Sequence, residues 1–76
     1  MNHKRSYASD VLDIQDTKLR PIELAEREGV PLATVYNWNS TGTGPRYMKI
    51  GRHVRYRLRD VVAWEDSRYT DGAAAG

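Results

Sequence analysis

Glycine and proline divide this chain into short segments, and that division constrains its fold more than any other feature. Pro21 suits the first position of a helix, where a missing N–H costs nothing, and Gly29 suits the left-handed cap that ends one. Pro31 then restarts the chain, and residues 39–45 contain enough Gly, Ser, Thr and Pro to form a loop. We therefore predict a first helix over residues 19–28, a tight turn, and a second helix over residues 32–38.

Apolar spacing predicts which side of each helix is buried. Leu32, Val35 and Trp38 recur every three residues and so share one face of the second helix. In the first helix a short apolar stripe is predicted from Ile22, Leu24 and Ala25.

Residues 46–57 alternate between apolar and basic side chains, which predicts a β-hairpin turning near Gly51. A two-residue turn at Gly51 and Arg52 would place charged side chains opposite apolar ones. A three-residue turn makes one face apolar and the other basic, so this register is the prediction. It pairs Ile50 with Val54, Met48 with Tyr56, Lys49 with Arg55, and Tyr47 with Arg57.

The ends of the chain are less regular. Residues 1–16 are predicted to be an N-terminal arm, in which Val11 to Ile14 form a short strand or contact a neighbouring molecule. A third helix is predicted over about residues 60–69, with Asp60 at its start and Val61 and Trp64 on its buried edge. The domain is thus expected over residues 17–69, followed by a tail over residues 70–76.

This order of elements is a helix-turn-helix followed by a two-stranded wing and a closing helix. The predicted fold class is α+β, mostly α: a small winged helix-turn-helix. A chain of 76 residues without Cys has no disulfide or thiolate metal site and has little volume for an enzyme's pocket. We expect no catalytic residues, no metal and no cofactor. No apolar run is long enough for a membrane span, and the N-terminus lacks the apolar stretch of a secretory signal. We therefore expect a cytoplasmic protein.

Charge is unevenly distributed along the chain. The net charge is only +2, but residues 29–59 hold six Lys and Arg side chains and no acid. A solvated surface normally mixes both signs, whereas an acid-free segment rich in Arg suits a phosphate backbone. The charge pattern therefore favours nucleic-acid binding over a merely solvated surface.

The outer face of the second helix should carry Ala33, Thr34, Tyr36 and Asn37, none of which is charged. Asn can bind adenine in a bidentate manner, Thr can contact bases through its hydroxyl or methyl group, and Ala permits close approach. We interpret this face as a recognition surface for the DNA major groove; the alternative is an ordinary polar helix. Beside it, the basic hairpin suits a minor groove; the alternative is an edge that uses charge to prevent aggregation.

Two stretches resemble a known family. Leu19-Arg20-Pro21-Ile22-Glu23-Leu24-Ala25-Glu26-Arg27-Glu28-Gly29-Val30-Pro31 with Thr34-Val35-Tyr36-Asn37-Trp38 resembles the opening of excisionase-type and MerR-like winged helix-turn-helix domains. The stretch from Gly44 through Lys49-Ile50-Gly51-Arg52-His53-Val54-Arg55-Tyr56-Arg57 to Asp60-Val61-Val62-Ala63-Trp64 resembles their wing and closing helix. Two departures stand out: Pro31 replaces the usual Ser or Thr cap, and Glu28 occupies a position that is usually apolar.

The resemblance implies a phage excisionase, which is a recombination directionality factor. Such a protein binds and bends double-stranded DNA at a phage attachment site, cooperatively with neighbouring copies of itself, and directs a phage integrase towards excision. The DNA contacts it implies are Arg20, Ala33, Thr34, Tyr36, Asn37, Arg46, Lys49, Arg52, His53, Arg55 and Arg57. Two alternatives remain: a small transcription regulator of the same fold, and a module that binds or inhibits another protein.

Overall fold

The structure, a computed structural model, describes residues 14–70. Residues 1–13 of the predicted arm and 71–76 of the predicted tail lie outside this range. Six elements lie within it: β1 (Lys18–Leu19), α1 (Pro21–Glu28), α2 (Leu32–Thr41), β2 (Met48–Ile50), β3 (His53–Arg57) and α3 (Leu58–Ser67). The strands form an antiparallel sheet in the order β1-β3-β2. The predicted winged helix-turn-helix is confirmed.

Helix α1 ends at Glu28 as predicted but begins at Pro21, two residues after its predicted start, because Leu19 belongs to β1. Pro21 occupies the first turn, and the Glu23 carboxylate reaches back to accept a 2.7 Å hydrogen bond from the backbone N–H of Arg20. Gly29 adopts the left-handed conformation with a φ of 70°, which a residue with a Cβ adopts only at a cost. The chain can therefore turn sharply into α2.

Helix α2 runs three residues beyond its predicted end at Trp38. It starts after Pro31 with no side-chain cap, and it stops at Gly42. The hydroxyls of Ser40 and Thr41 donate to the Asn37 carbonyl at 3.1 and 2.8 Å, so residues expected to break the helix support its last turn. The predicted start of the loop at residue 39 was wrong for this reason.

The core lies where the three helices meet β3. Its fully or almost fully buried side chains are Leu24, Ala25, Val35, Tyr56 and Val61. The buried face predicted for α2 is confirmed, because Val35 is fully buried and Leu32 and Trp38 pack against the core with part of their surface exposed. Ile22 is 38% exposed, so its predicted place in the apolar stripe was wrong.

The predicted hairpin register was also wrong. The pairs are Met48 with Arg55, Lys49 with Val54, and Ile50 with His53, so the turn contains only Gly51 and Arg52. Gly51 has a φ of 65°, while no residue other than glycine has a positive φ among those described. This is the pattern of a type II′ turn, whose twist matches that of the flanking strands.

The corrected register exchanges the faces of β2. Lys49 lies on the face of Val54, not of Arg55 and Arg57, and Met48 and Ile50 lie on the opposite face. Because β2 is an edge strand, Lys49 stays exposed beside the core side of the sheet, and Ile50 is 50% exposed.

Two features near the base of the sheet were not predicted. Strand β1 pairs with β3, setting Lys18 opposite Arg57 and Leu19 opposite Tyr56. Helix α3 begins at Leu58, directly after β3 and two residues before the predicted start, and the Leu58 N–H donates to the Thr17 carbonyl at 2.8 Å. Among residues 14–70 no helix combines the length and apolar character needed to cross a membrane.

Candidate nucleic-acid interface

The outward face of α2 is uncharged and accessible. Ala33 and Asn37 are exposed, Tyr36 is 53% exposed, and Thr34 is half-buried. The helix fixes these positions because Val35, between them in the sequence, is fully buried against the core. The surface therefore offers amide, hydroxyl and phenol groups without a fixed charge.

The tip of the wing presents Arg52 and His53 to solvent. Arg52 is the second residue of the two-residue turn, and His53 begins β3. Behind them Arg55 is half-buried, and its Nη1 donates to the Val54 carbonyl at 2.8 Å. The tip of the wing thus carries the guanidinium of Arg52 and the imidazole of His53, and the guanidinium of Arg55 lies close behind them.

A shallow hollow of about 210 Å³ connects the helix to the wing. Tyr36 lines it from α2 and Pro21 from the start of α1. The wing contributes the remaining lining residues, Arg52, His53, Val54 and Arg55. The structure therefore brings Tyr36, from the outward face of α2, together with the tip of the wing; Ala33, Thr34 and Asn37 do not line this hollow.

Arg20 stands at the edge of this surface, beside the start of α1. Its Nε lies 3.4 Å from the Glu23 carboxylate. The hydrogen bond from the Arg20 backbone lowers the pKa of Glu23, and the side chain of Arg20 and the charge of Arg55 lower it further. Glu23 therefore stays ionised and forms an ion pair with Arg20, since opposite charges attract at short range.

The other predicted contacts are not gathered there. Arg46 and Arg57 line a separate hollow of about 190 Å³ with Tyr47, Met48 and Asp60. Lys49 is exposed on the face of β2 opposite to Arg57. The roles of these three side chains in DNA binding stay predictions, as do those of the residues around the first hollow.

Sequence reasoning missed the charges that surround Arg57. Its Nε lies 3.0 Å from an oxygen of Asp16, and Lys18 and Arg59 lie near the same carboxylate. The pairing of β1 with β3 creates this cluster. A two-residue strand has too short an alternation pattern to be recognised from the sequence.

Within the described part of the chain, no group of three or more His, Asp or Glu side chains is placed to hold a metal ion. In the comparisons with known proteins, the model of a helix-turn-helix domain family matches residues 19–69. A search of curated proteins finds no match. The family match covers α1, α2, the wing and α3, including the surface described above.

Proposed function

Since this chain belongs to the helix-turn-helix domain family, whose members bind DNA, we propose that it is a sequence-specific factor that bends phage attachment-site DNA. In this proposal it directs an integrase towards prophage excision, in the bacterial cytoplasm. It performs no chemical step of its own. Neighbouring copies of the protein and the integrase are its proposed partners on the DNA.

One observation carries the proposal: Tyr36 of α2 and Arg52, His53 and Arg55 of the wing line the same hollow. A helix that enters the major groove places a wing beside it near an adjacent minor groove. A duplex can therefore contact both elements at once. Two separate faces would not permit this.

Each element has a different proposed task. Asn37 binds a base edge through its amide, Thr34 and Tyr36 contact bases or sugars beside it, and Ala33 lets the helix backbone approach closely. Arg52 and His53 enter the minor groove, whose negative potential attracts them. The remaining contacts, to phosphates or groove edges, are Arg20, Arg46, Lys49, Arg55 and Arg57.

We expect cooperative DNA binding because the module is small, and DNA bending because the wing enters the minor groove. A single module of this kind covers roughly 600–1,000 Å² of its surface on DNA, which supports only modest affinity. Adjacent copies bound side by side gain affinity through effective concentration, and a wing inserted into the minor groove favours a bent duplex. The resemblance to excisionases connects these properties to integrase-dependent recombination.

DNA binding is tested by titrating a duplex, selected from a random library, at several salt concentrations. About five neutralised phosphates predict that log K falls by roughly 4–5 per decade of salt. Arg52→Ala should weaken binding to all sequences and reduce this slope. Arg68→Ala, at the end of α3, is the matched control and should leave the slope unchanged. A wild type with a nearly flat slope would favour a protein-binding module instead.

Base reading is tested by Asn37→Ala. The loss should be about 1–3 kcal/mol at the selected site, and much smaller on unrelated duplexes. An equal loss on every sequence would remove Asn37 from the base-reading surface.

The excision role needs attachment-site DNA. Electrophoretic mobility of permuted fragments should reveal a bend, and adding the cognate integrase should increase excision and reduce integration. A protein that binds and represses a promoter but leaves recombination unchanged would be a transcription regulator of the same fold.

A further inference from the structure

We propose that Lys18, Arg57 and Arg59 form a second phosphate site at the base of the sheet, and that the free protein fills it with its own Asp16. These three cations are called the base cluster. The inference rests on the proposed function, because the ligand is a phosphate of the bound duplex. Beyond the proposed function, it states that Asp16 competes with that phosphate for the three cations.

The base cluster converges on a single carboxylate. Arg57 Nε lies 3.0 Å from Oδ1 of Asp16, and Arg59 Nη2 lies 3.9 Å from the same oxygen. Lys18 Nζ lies 3.9 Å from Oδ2. A phosphodiester resembles this carboxylate in charge and in presenting two oxygens, and guanidinium groups bind both. Asp16 thus marks where an anion is held.

Strand β3 connects the base cluster to the tip of the wing. His53, Arg55 and Arg57 alternate along β3 and so share one face, and Lys18 stands opposite Arg57 on that face. From His53 to Arg57 the strand rises about 13 Å, at about 3.3 Å per residue. A DNA backbone that leaves the tip of the wing and follows this face reaches the base cluster.

Asp16 is weakly enough held to be displaced. Its side chain is 44% exposed, and those of Lys18, Arg57 and Arg59 are 41%, 42% and 54% exposed. Exposed ion pairs are screened by water and salt and contribute little to stability. A strand of phosphates already held at the wing is a strong local competitor for the same cations.

The substitution Asp16→Asn removes the competitor and retains its size. It should tighten binding to the selected duplex by about two- to five-fold, the range of one exposed ion pair. Asp66→Asn removes the same charge from an exposed position of α3 and is the matched control, expected to bind like the wild type. Thermal unfolding by circular dichroism verifies that each variant is folded.

A second pair of variants makes the test independent of overall charge. In a Lys18→Gln/Arg57→Gln/Arg59→Gln background, which lacks the whole base cluster, Asp16→Asn should no longer tighten binding, and the triple substitution alone should reduce the salt slope. If Asp16→Asn binds like Asp66→Asn, or if its gain persists without the three cations of the base cluster, the phosphate site is refuted while the proposed function stands. A wild type that binds no duplex refutes both.

Discussion

Replacing Glu28 by Gln should stabilise the protein strongly at pH 8 and only slightly at pH 5. Glu28 ends α1 with its side chain only 18% exposed, and its buried Oε2 lies 3.6 Å from Arg27 Nε, too far for a hydrogen bond. Glu65 of α3 lies beside it and accepts two hydrogen bonds from Arg27, of 2.6 and 2.8 Å. One carboxylate is thus compensated by Arg27, and the other is better accommodated as a neutral acid.

The two pKa values move in opposite directions. Burial, and then the hydrogen bond with Glu65, raise the pKa of Glu28 from 4.5 to about 7. The Arg27 hydrogen bonds, followed by that with Glu28, lower the pKa of Glu65 to about 2. Burial favours the protonated form of Glu28, because the Arg27 guanidinium, 3.6 Å from its Oε2, already donates its short hydrogen bonds to Glu65.

These shifts determine how stability depends on pH. Folded Glu28 holds its proton more tightly than the unfolded chain does, so its contribution is fully present below pH 4.5 and is lost as pH rises to about 7. Glu65 behaves oppositely: its contribution is present above pH 4.5 and is lost as pH falls towards 2. Together the pair should make the free energy of unfolding greatest near pH 4.5.

Gln at position 28 can donate to Glu65 as protonated Glu28 does, but it never becomes charged. A difference of about 2.5 pKa units sets an upper limit of about 3 kcal/mol at pH 8, and relaxation of the surroundings should leave about 1–2 kcal/mol. This corresponds to a rise in Tm of roughly 4–8 °C per kcal/mol.

Urea or thermal unfolding at pH 5 and pH 8 provides the measurement, with Glu26→Gln as the control because Glu26 is exposed on the same helix. The control should show no such pH-dependent gain. The reasoning fails if Glu28→Gln is destabilised at pH 8, or if its effect is the same at both pH values.

Two further predictions concern packing around the paired tryptophans. A Cβ at Gly44 would lie 2.7 Å from Trp38 Cβ, so Gly44→Ala should lower the free energy of unfolding by about 1–3 kcal/mol; unchanged urea denaturation would contradict this close approach. Trp64 packs 4.9 Å from Trp38 and donates to the Thr43 carbonyl at 2.9 Å. Trp64 was predicted on a buried edge but is only half-buried, so Trp64→Ala should cost about 1–3 kcal/mol, and unchanged stability by the same assay would show that this packing is not needed.

The fold could be predicted because its strongest signals are local. Pro21, Gly29 and Pro31 determine the backbone conformation of the few residues around them. The three-residue spacing of Leu32 and Val35 is apparent in a short stretch of sequence. The uncharged outer face of α2 follows from the same spacing, since the positions left over must face outward.

The hairpin register depended on two considerations that conflict. Face polarity favoured a three-residue turn, but Gly51 with a positive φ makes a two-residue turn whose twist suits the strands. Lys49 beside Val54 costs little, because β2 is an edge strand and the ammonium group stays in water. Polarity is a weak guide to register where one strand is so exposed.

Contacts between distant segments had no sequence signal. Arg27 and Glu65 are 38 positions apart, and Asp16 meets Arg57 because β1 pairs with β3. Glu28 stood out only as a departure from the apolar residue usual in the resembling family. Its environment depends on Glu65 of α3, which lies beside α1 only in the folded chain.

The central claim, that α2 and the wing contact one duplex together, can be measured by directed cleavage. The chain has no Cys, so an iron chelate attached to Ala33→Cys or to Arg52→Cys reports a single position. We predict that both variants cleave the selected duplex, the first from the major groove and the second from a minor groove about half a helical turn, or about five base pairs, away. Cleavage from Ala33→Cys without cleavage from Arg52→Cys, or cleavage at unrelated positions, would contradict the shared surface.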